Sequence, residues 1–396
     1  MKVVLAYSGG LDTSVMIPWL RERYACEVVA FIADVGQKED LGAARRKALK
    51  TGASKVVIKD MRSAFVKDYV FPTLKAGAVY EGKYLLGTAV ARPCIAKGQI
   101  TVALAEKADA VAHGATGKGN DQVRFEMAAM ALAPHLKIIA PWREWEMKSR
   151  SDEIAYAREH GIPVTAGKKF PYSSDKNLWH VSMEGGELED LGNTLKRGAL
   201  QTTREADRAP SGGGKVAIGF VSGIPVSVNG RRMSPVDLVS ILNRIGGEHG
   251  IGVVDLVENR LVGIKSRGVY ETPGGTLLYA ALSELAAIVL DRETMHLKAH
   301  LAMKYAELVY YGMWFTPLRK ALDAFMDVTM APVTGEVTLA LRQGAVRVLK
   351  RVSPNALYRA SLATFEEGEA YDQRHAEGFI RLFGLQYRGK DRGRRG

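Results

Sequence analysis

Cysteine is nearly missing from this chain: Cys26 and Cys94 are the only two in 396 residues. Two thiols cannot build a disulfide framework, and neither has metal-ligand spacing, so both are expected to be reduced and partly buried, as in a cytoplasmic protein. Long apolar runs are also missing. No stretch reaches the roughly 18 uninterrupted apolar residues of a membrane span. Charge interrupts the N-terminus early, and its first apolar run reads as a strand rather than a secretory leader. The expectation is a soluble chain without a membrane partner. The Gly-x-Ser-x-Gly elbow of a serine hydrolase does not occur, so Ser173, Ser174 and Ser182 near His180 do not amount to a nucleophilic site, and His180 reads as a hydrogen-bonded core residue. A Walker A loop is missing too. Gly114 to Gly119 comes nearest, but Asn120 stands where the lysine belongs.

What is present suggests a globular protein of two or three domains, with 47% hydrophobic residues over this length. The net charge of +12 raises the question of nucleic acid. Part of that charge is local, because the last nine residues carry Arg388, Lys390, Arg392, Arg394 and Arg395 against Asp391 in a glycine-interleaved tail. The remainder suits ATP and an acidic amino acid as well as it suits RNA.

The stretch that organises the rest is Tyr7-Ser8-Gly9-Gly10-Leu11-Asp12-Thr13-Ser14, which follows the apolar strand Val3–Ala6 and opens a helix running through Leu20. Two adjacent glycines let backbone N–H groups turn inward around an anion, and the start of the helix aims its positive end at the same place. Ser8, Thr13 and Ser14 add hydroxyl donors. Asp12 would repel phosphate, so it either faces Mg²⁺ shared with the phosphates or holds the loop by accepting its N–H groups. A bare Gly-Gly would read as a capped turn, but the whole string resembles the loop of the N-type ATP pyrophosphatases. That resemblance implies cleavage of ATP between its α and β phosphates.

Residues 1 to about 168 alternate strand and helix: strand Glu27–Ala33, helix Leu41–Thr51, strand Lys55–Ile58, strand Ala110–Ala112, strand Lys137–Ala140 and helix Ile154–Glu159. This is the pattern of a doubly wound parallel sheet, whose ligand crevice lies at the carboxyl ends of the strands, where Ser8–Asp12, Ala33–Gln37 and Gly114–Asp121 fall. Pro18 predicts a kink in the first helix. Around Lys168–Pro171 the pattern turns β-rich and a second, α+β domain is expected to begin, with a flexible segment over Gly192–Lys215. Strand Ala217–Val221, a turn at Asn229-Gly230, helix Ser234–Ile245, strand Val253–Val257 and helices Thr276–Leu290 and Tyr305–Trp314 follow. A hairpin pairs Val337–Leu341 with Ala345–Lys350. The domain boundaries are placed at 1–168, 169–365 and 366–396, the last an arm with a helix over Ala376–Leu382.

A second anchor runs from Ala112 to Glu126. Its glycines let backbone approach a ligand, and the helix after it is expected to be capped by Asn120 or Asp121, with Asn120 and Arg124 on one face. On spacing alone a capped surface helix with a salt bridge is the better explanation. Between Tyr80 and Pro93, Tyr84 and Arg92 lie about two helical turns apart, and Arg92 suits a bidentate clamp on a substrate carboxylate or a structural ion pair. Glu258 and Tyr270 stand beside a turn rich in proline and glycine.

Taken in order over residues 1 to about 382, these strings resemble the argininosuccinate synthases. The resemblance implies ligation of citrulline and aspartate by ATP with Mg²⁺, through a citrullyl-adenylate, in arginine biosynthesis. It also implies a cytoplasmic homotetramer held partly by the C-terminal arm, with no nucleic-acid partner and no tightly bound cofactor. By position, Ala6, Tyr7, Ser8, Gly9, Gly10, Leu11, Asp12, Thr13, Ser14, Ala33 and Gly114 would hold ATP. Thr116, Asn120 and Asp121 would hold aspartate. Tyr84, Asn120, Arg124, Ser173, Ser182, Glu258 and Tyr270 would hold citrulline. Ser8, Asp12 and Asp121 are the catalytic candidates, Asp121 orienting the attacking amine, and no protein metal site is assigned, since Mg²⁺ would arrive with ATP. The chain departs from the family at Ala89, where a citrulline-contacting serine is usual, at Phe170 and Ser174, and at Gly98 inside an expected helix. Two rivals remain: an RNA-modifying enzyme with the same loop, for which neither cysteine has a motif-like context, and a nucleotide-binding regulator without catalysis.

Overall fold

The computed structural model describes residues 1–147, 149–163, 172–366 and 371–388. The sequence-predicted boundary at Lys168–Pro171 and the position of Phe170 lie outside them. Contacts gather Met1–Asn355 into one compact unit and Ala356–Gly396 into another.

Five apolar strands open the first unit: β1 (Lys2–Ala6), β2 (Glu27–Asp34), β3 (Lys55–Asp60), β4 (Ala110–Ala112) and β5 (Lys137–Ile139). They pair in parallel in the order β3-β2-β1-β4-β5. Because side chains alternate across a strand, β1 buries Val3 and Leu5 on one face and Val4 on the other. Helices α1 (Leu11–Tyr24) and α2 (Leu41–Lys50) cover the first face, together with α5 (Arg150–Glu159). The opposite face is packed by α3 (Gly87–Ala105) and α4 (Asp121–Leu132). The sheet is therefore doubly wound. The chain reverses its direction of growth between β1 and β4, and the crevice at that switch is where such folds bind ligands.

Helix α1 continues through Pro18 without interruption, and Leu20 beyond it is fully buried. Helix α3 also carries a proline, Pro93, and it needs Gly98. A Cβ there would lie 2.7 Å from Met61 Sδ and 2.8 Å from Phe31 Cζ, so the glycine allows the close approach of α3 to β2 instead of weakening it.

Among the described residues nine further strands form two antiparallel sheets. Strands β6 (Ser173–Lys176), β7 (Val181–Glu184), β11 (Val253–Asn259) and β12 (Lys265–Glu271) form one, in the order β11-β12-β7-β6. Its register sets Tyr270 opposite Ser182, and Ser182 opposite Asp175. The other sheet has the order β10-β9-β8-β13-β14, built from β8 (Gly214–Val221), β9 (Ile224–Val228), β10 (Arg231–Arg232), β13 (Gly335–Arg342) and β14 (Ala345–Val352). Gly214, expected to close a flexible loop, already belongs to β8.

Helices α6 (Pro235–Glu248), α7 (Pro273–Val289), α8 (Arg292–Tyr310) and α9 (Pro317–Met330) pack around these sheets in one continuous core. The helix expected over Tyr305–Trp314 is the last part of α8, which starts at an Asp291 cap and ends at Tyr310. In the second unit, α10 (His375–Phe383) leaves Phe379, Ile380, Leu382 and Phe383 exposed. Among the described residues no helix is long and apolar enough to cross a membrane.

Candidate active site

The loop after β1 is held from within. Ser8 Oγ and Thr13 Oγ1 lie 3.1 Å apart, the Ser8 N–H donates to Thr13 Oγ1 at 3.3 Å, and the Gly10 N–H donates to Ser8 Oγ at 3.3 Å. Gly9 adopts φ +82°, a conformation that favours glycine. Tyr7 turns inward, its hydroxyl 2.9 Å from Ser14 Oγ, so its side chain supports the loop from the core. Leu11 and Thr13 enter the first turn of α1, and Ala6 closes β1. The loop after β4 comes close: a Cβ on Gly114 would lie 3.0 Å from Thr13 Cγ2. Ala33, near the end of β2, accepts the Gln37 side-chain amide at 2.9 Å.

Among the described residues no loop N–H donates to the Asp12 carboxylate, so of the two roles expected for it the loop-holding one is not seen. It faces Glu153 of α5. Burial, and then the Asp12 charge, push the Glu153 carboxyl up to about 7, and its Oε1 has no partner. Below that value Glu153 carries a proton.

A second constellation gathers at the start of α4. Asn120 occupies the cap position, but its side chain does not cap. Its amide donates to Tyr310 Oη at 2.9 Å, and its carbonyl accepts the Leu261 N–H at 2.9 Å. Asp121 does not cap either. Its carboxylate is gripped by Arg92 Nε and Arg124 Nη1, each at 2.8 Å. Burial opposes its charge, but the two guanidiniums outweigh burial and hold the carboxyl below its ordinary range. Arg92 also donates to Asp175 at 2.8 Å, so both its bonds go to protein carboxylates, which is the structural ion pair that the sequence offered beside a substrate clamp. Thr116 stands exposed in the preceding turn, apart from this network.

Thr88, in the first turn of α3, links the Arg92 ion pair to the tyrosines. Its hydroxyl lies 3.1 Å from Asp175 Oδ2 and 3.0 Å from His180 Nε2, and its N–H donates to Tyr84 Oη at 3.0 Å. The rings of Tyr84 and Tyr270 lie 4.5 Å apart, and Tyr310 meets Tyr84 edge-on at 6.2 Å. Arg124 donates to the Tyr310 carbonyl at 3.0 Å and lies over the Tyr310 ring. Burial pushes His180 down to about 4, so it is neutral near pH 7, which fits the expected core histidine.

Glu258 is buried beside these groups, and its Oε2 has no hydrogen-bond partner. Burial, then the charge of Glu184, push it up to about 7. Glu184 itself pairs with Arg260 at 2.5 Å. Ser182 is buried, its Oγ 3.3 Å from the Asp175 N–H, whereas Ser173 is exposed on β6 and Ser174 accepts from Gln201 at 2.8 Å. Ala89 is fully buried in the core.

The family profile described as "Arginosuccinate synthase N-terminal HUP domain" matches residues 2–163, and the one described as "Arginosuccinate synthase C-terminal domain" matches residues 172–390. The chain belongs to the argininosuccinate synthase family. The argininosuccinate synthase of Carboxydothermus hydrogenoformans is 60% identical over 384 residues, covering 97% of this chain and 96% of that protein. That of Pelotomaculum thermopropionicum is 59% identical with the same coverage. The chloroplastic argininosuccinate synthase of Arabidopsis thaliana is 56% identical over 97% of this chain and 78% of its own length. Argininosuccinate synthases are ATP-dependent ligases of arginine biosynthesis.

Sequence reasoning missed the residues that organise the pocket without belonging to a motif: Thr88, Asp175, Tyr310 and Glu153. The only signal was positional, since Thr88 lies between Tyr80 and Pro93 and Asp175 directly follows Ser174.

Proposed function

We propose that this pocket joins citrulline to aspartate with ATP, releasing AMP and pyrophosphate. The observation that carries the assignment of the citrulline end is Glu258, a buried acid with an oxygen that no protein donor satisfies. An α-ammonium would supply the missing partner and hold the carboxylate ionised. Tyr84, Tyr270, Ser182 and Asn120 line up around it as polar contacts, and Arg124 is the cation for the α-carboxylate. Ser173 is exposed and would take part from the rim.

ATP is assigned to the loop from Ala6 to Ser14, with Gly114 and Ala33 at its edges. Its phosphates would meet the Gly10 N–H, the Ser8 hydroxyl and the start of α1. Mg²⁺ enters with ATP in this reading and neutralises phosphate charge. The carboxyls of Asp12 and Glu153 are the acidic groups at the loop that suit it.

The ureido carbon of citrulline is a poor electrophile, so its oxygen first attacks the α-phosphate and pyrophosphate leaves into the loop's donors. The aspartate amine then attacks the activated carbon and expels AMP. Asp121 is assigned to orient that amine, and Thr116 and Asn120 to hold aspartate. Held ionised by Arg92 and Arg124, Asp121 accepts a hydrogen bond well and takes a proton poorly, which favours orientation over full proton transfer. Arg92 belongs to this reading as the brace that couples Asp121 to the β6 side of the pocket through Asp175. The chain is further assigned to the cytoplasm, with boundaries at 1–168, 169–365 and 366–396.

The test follows one oxygen atom. With ATP, Mg²⁺, aspartate and citrulline labelled with ¹⁸O in the ureido group, AMP should carry the label and should form only when citrulline is present. Mass spectrometry that finds unlabelled AMP, or ADP in its place, rejects this chemistry.

A further inference from the structure

Beside the loop, α2 presents a cation that none of the assignments above uses. Lys47 is half-buried, and no carboxylate pairs with it among the described residues. Its Nζ donates to the Gly9 carbonyl at 3.0 Å, across 38 residues of sequence. One turn earlier on the same helix, Ala44 closes on the same glycine: a Cβ on Gly9 would lie 3.1 Å from Ala44 Cβ. Helix α2 therefore seats directly on the loop, with a small residue at the contact and a donor aimed at one carbonyl.

The Gly9 carbonyl and the Gly10 N–H belong to one planar trans peptide, so they point in opposite directions. A carbonyl fixed toward α2 sends the Gly10 N–H to the other side. In this structure that N–H has only the Ser8 hydroxyl, at the long distance of 3.3 Å, so a better acceptor can take it. A peptide between two glycines has no Cβ on either side to resist rotation, and a flip would turn the carbonyl oxygen toward an incoming anion.

We propose that Lys47 is a positioning residue for the pyrophosphate cradle: by holding the Gly9 carbonyl it keeps the Gly10 N–H aimed at the phosphate site. This rests on the reading of Ser8–Ser14 as that cradle. Burial lowers the lysine's pKa, but the lock needs only the donor and its reach.

The experiment compares the full chain with Lys47→Met, Lys47→Arg and Arg46→Met. Arg46 is an exposed neighbour on α2, 3.7 Å from Asp40, and removes the same charge without touching the loop. Mg-pyrophosphate binding is measured by calorimetry, and citrulline-dependent exchange of labelled pyrophosphate into ATP is measured alongside KM for citrulline and aspartate. Lys47→Met should weaken Mg-pyrophosphate by about tenfold and slow exchange similarly, the size expected for one lost charged hydrogen bond, with the two KM values within about twofold. Lys47→Arg, which keeps a donor of sufficient reach, should recover most of the loss, and Arg46→Met should match the parent. Lys47→Met binding Mg-pyrophosphate as the parent does overturns the proposal, as does an equal loss in Arg46→Met, which would assign the effect to net charge. If Lys47→Met does not fold, failure of Lys47→Arg to exceed one tenth of parental exchange rejects it. A parent chain that neither binds Mg-pyrophosphate nor exchanges it overturns the cradle itself, an outcome distinct from the others.

Discussion

Glu258 is a buried acid whose charge costs the ligand-free fold stability. Its carboxyl, raised to about 7 by burial and by Glu184, has an ordinary value near 4.3 in an unfolded chain. The folded state therefore binds the extra proton between those values. Its contribution to stability is fully present below the unfolded value and is lost as pH rises through about 7. Above that, the buried charge disfavours the fold by an amount on the order of 3–4 kcal/mol. Glu258→Gln should raise the ligand-free melting temperature at pH 8 and leave it little changed at pH 5, while weakening citrulline by about tenfold or more. Scanning fluorimetry at both pH values checks the sign. A variant that melts lower at pH 8 means that Glu258 has a stabilising partner in the free protein.

Among the elements, the parallel sheet was legible from sequence because β1, β2 and the segments after them carry apolar runs with turn residues at their carboxyl ends. The two sheets of the second region were less so. Strands β6 and β7 are four residues each, and β6 reads Ser-Ser-Asp-Lys, with no apolar alternation to mark it. Helix α9 was missed although Thr316 caps it and Pro317 opens it, signals that sequence reading can use. The site followed the same division. Residues in contiguous strings, such as Ser8–Ser14 and Asn120–Arg124, stood out as candidates, whereas Tyr310 lies at the end of a helix and reaches the pocket only through tertiary packing. Arg92 was noticed for its charge, but spacing along a helix cannot reveal which carboxylate a guanidinium meets. Gly98 reversed its meaning on the same ground. At α3 it marks close packing, so Gly98→Ala should destabilise the fold by about 1–2 kcal/mol, overpacking against Phe31 outweighing the gain of about 1 kcal/mol in helix propensity. Urea unfolding with an unchanged or higher midpoint would show that Met61 and Phe31 yield freely.

For the whole molecule, α10 raises the question of assembly. Phe379, Ile380, Leu382 and Phe383 are exposed on a helix of nine residues, and such a short helix gains little stability without a surface to cover that face. We propose that a second copy of the chain covers it, in a homotetramer. Replacing Phe379 and Phe383 together by Asp should convert the assembly to a smaller species in light scattering, while deletion of 389–396 should leave mass and turnover unchanged. A double variant of unchanged mass removes the arm from the interface.

The bond between Asn120 and Tyr310 joins residues 190 positions apart. During synthesis, at about 5–20 residues per second, the ribosome takes at least about ten seconds to pass from one to the other. By residue 139 the nascent chain carries the loop after β1 and all five parallel strands, but it still lacks the tyrosine that anchors the start of α4. The parallel sheet and its glycine loop can therefore form before the residue that anchors the start of α4 has been made.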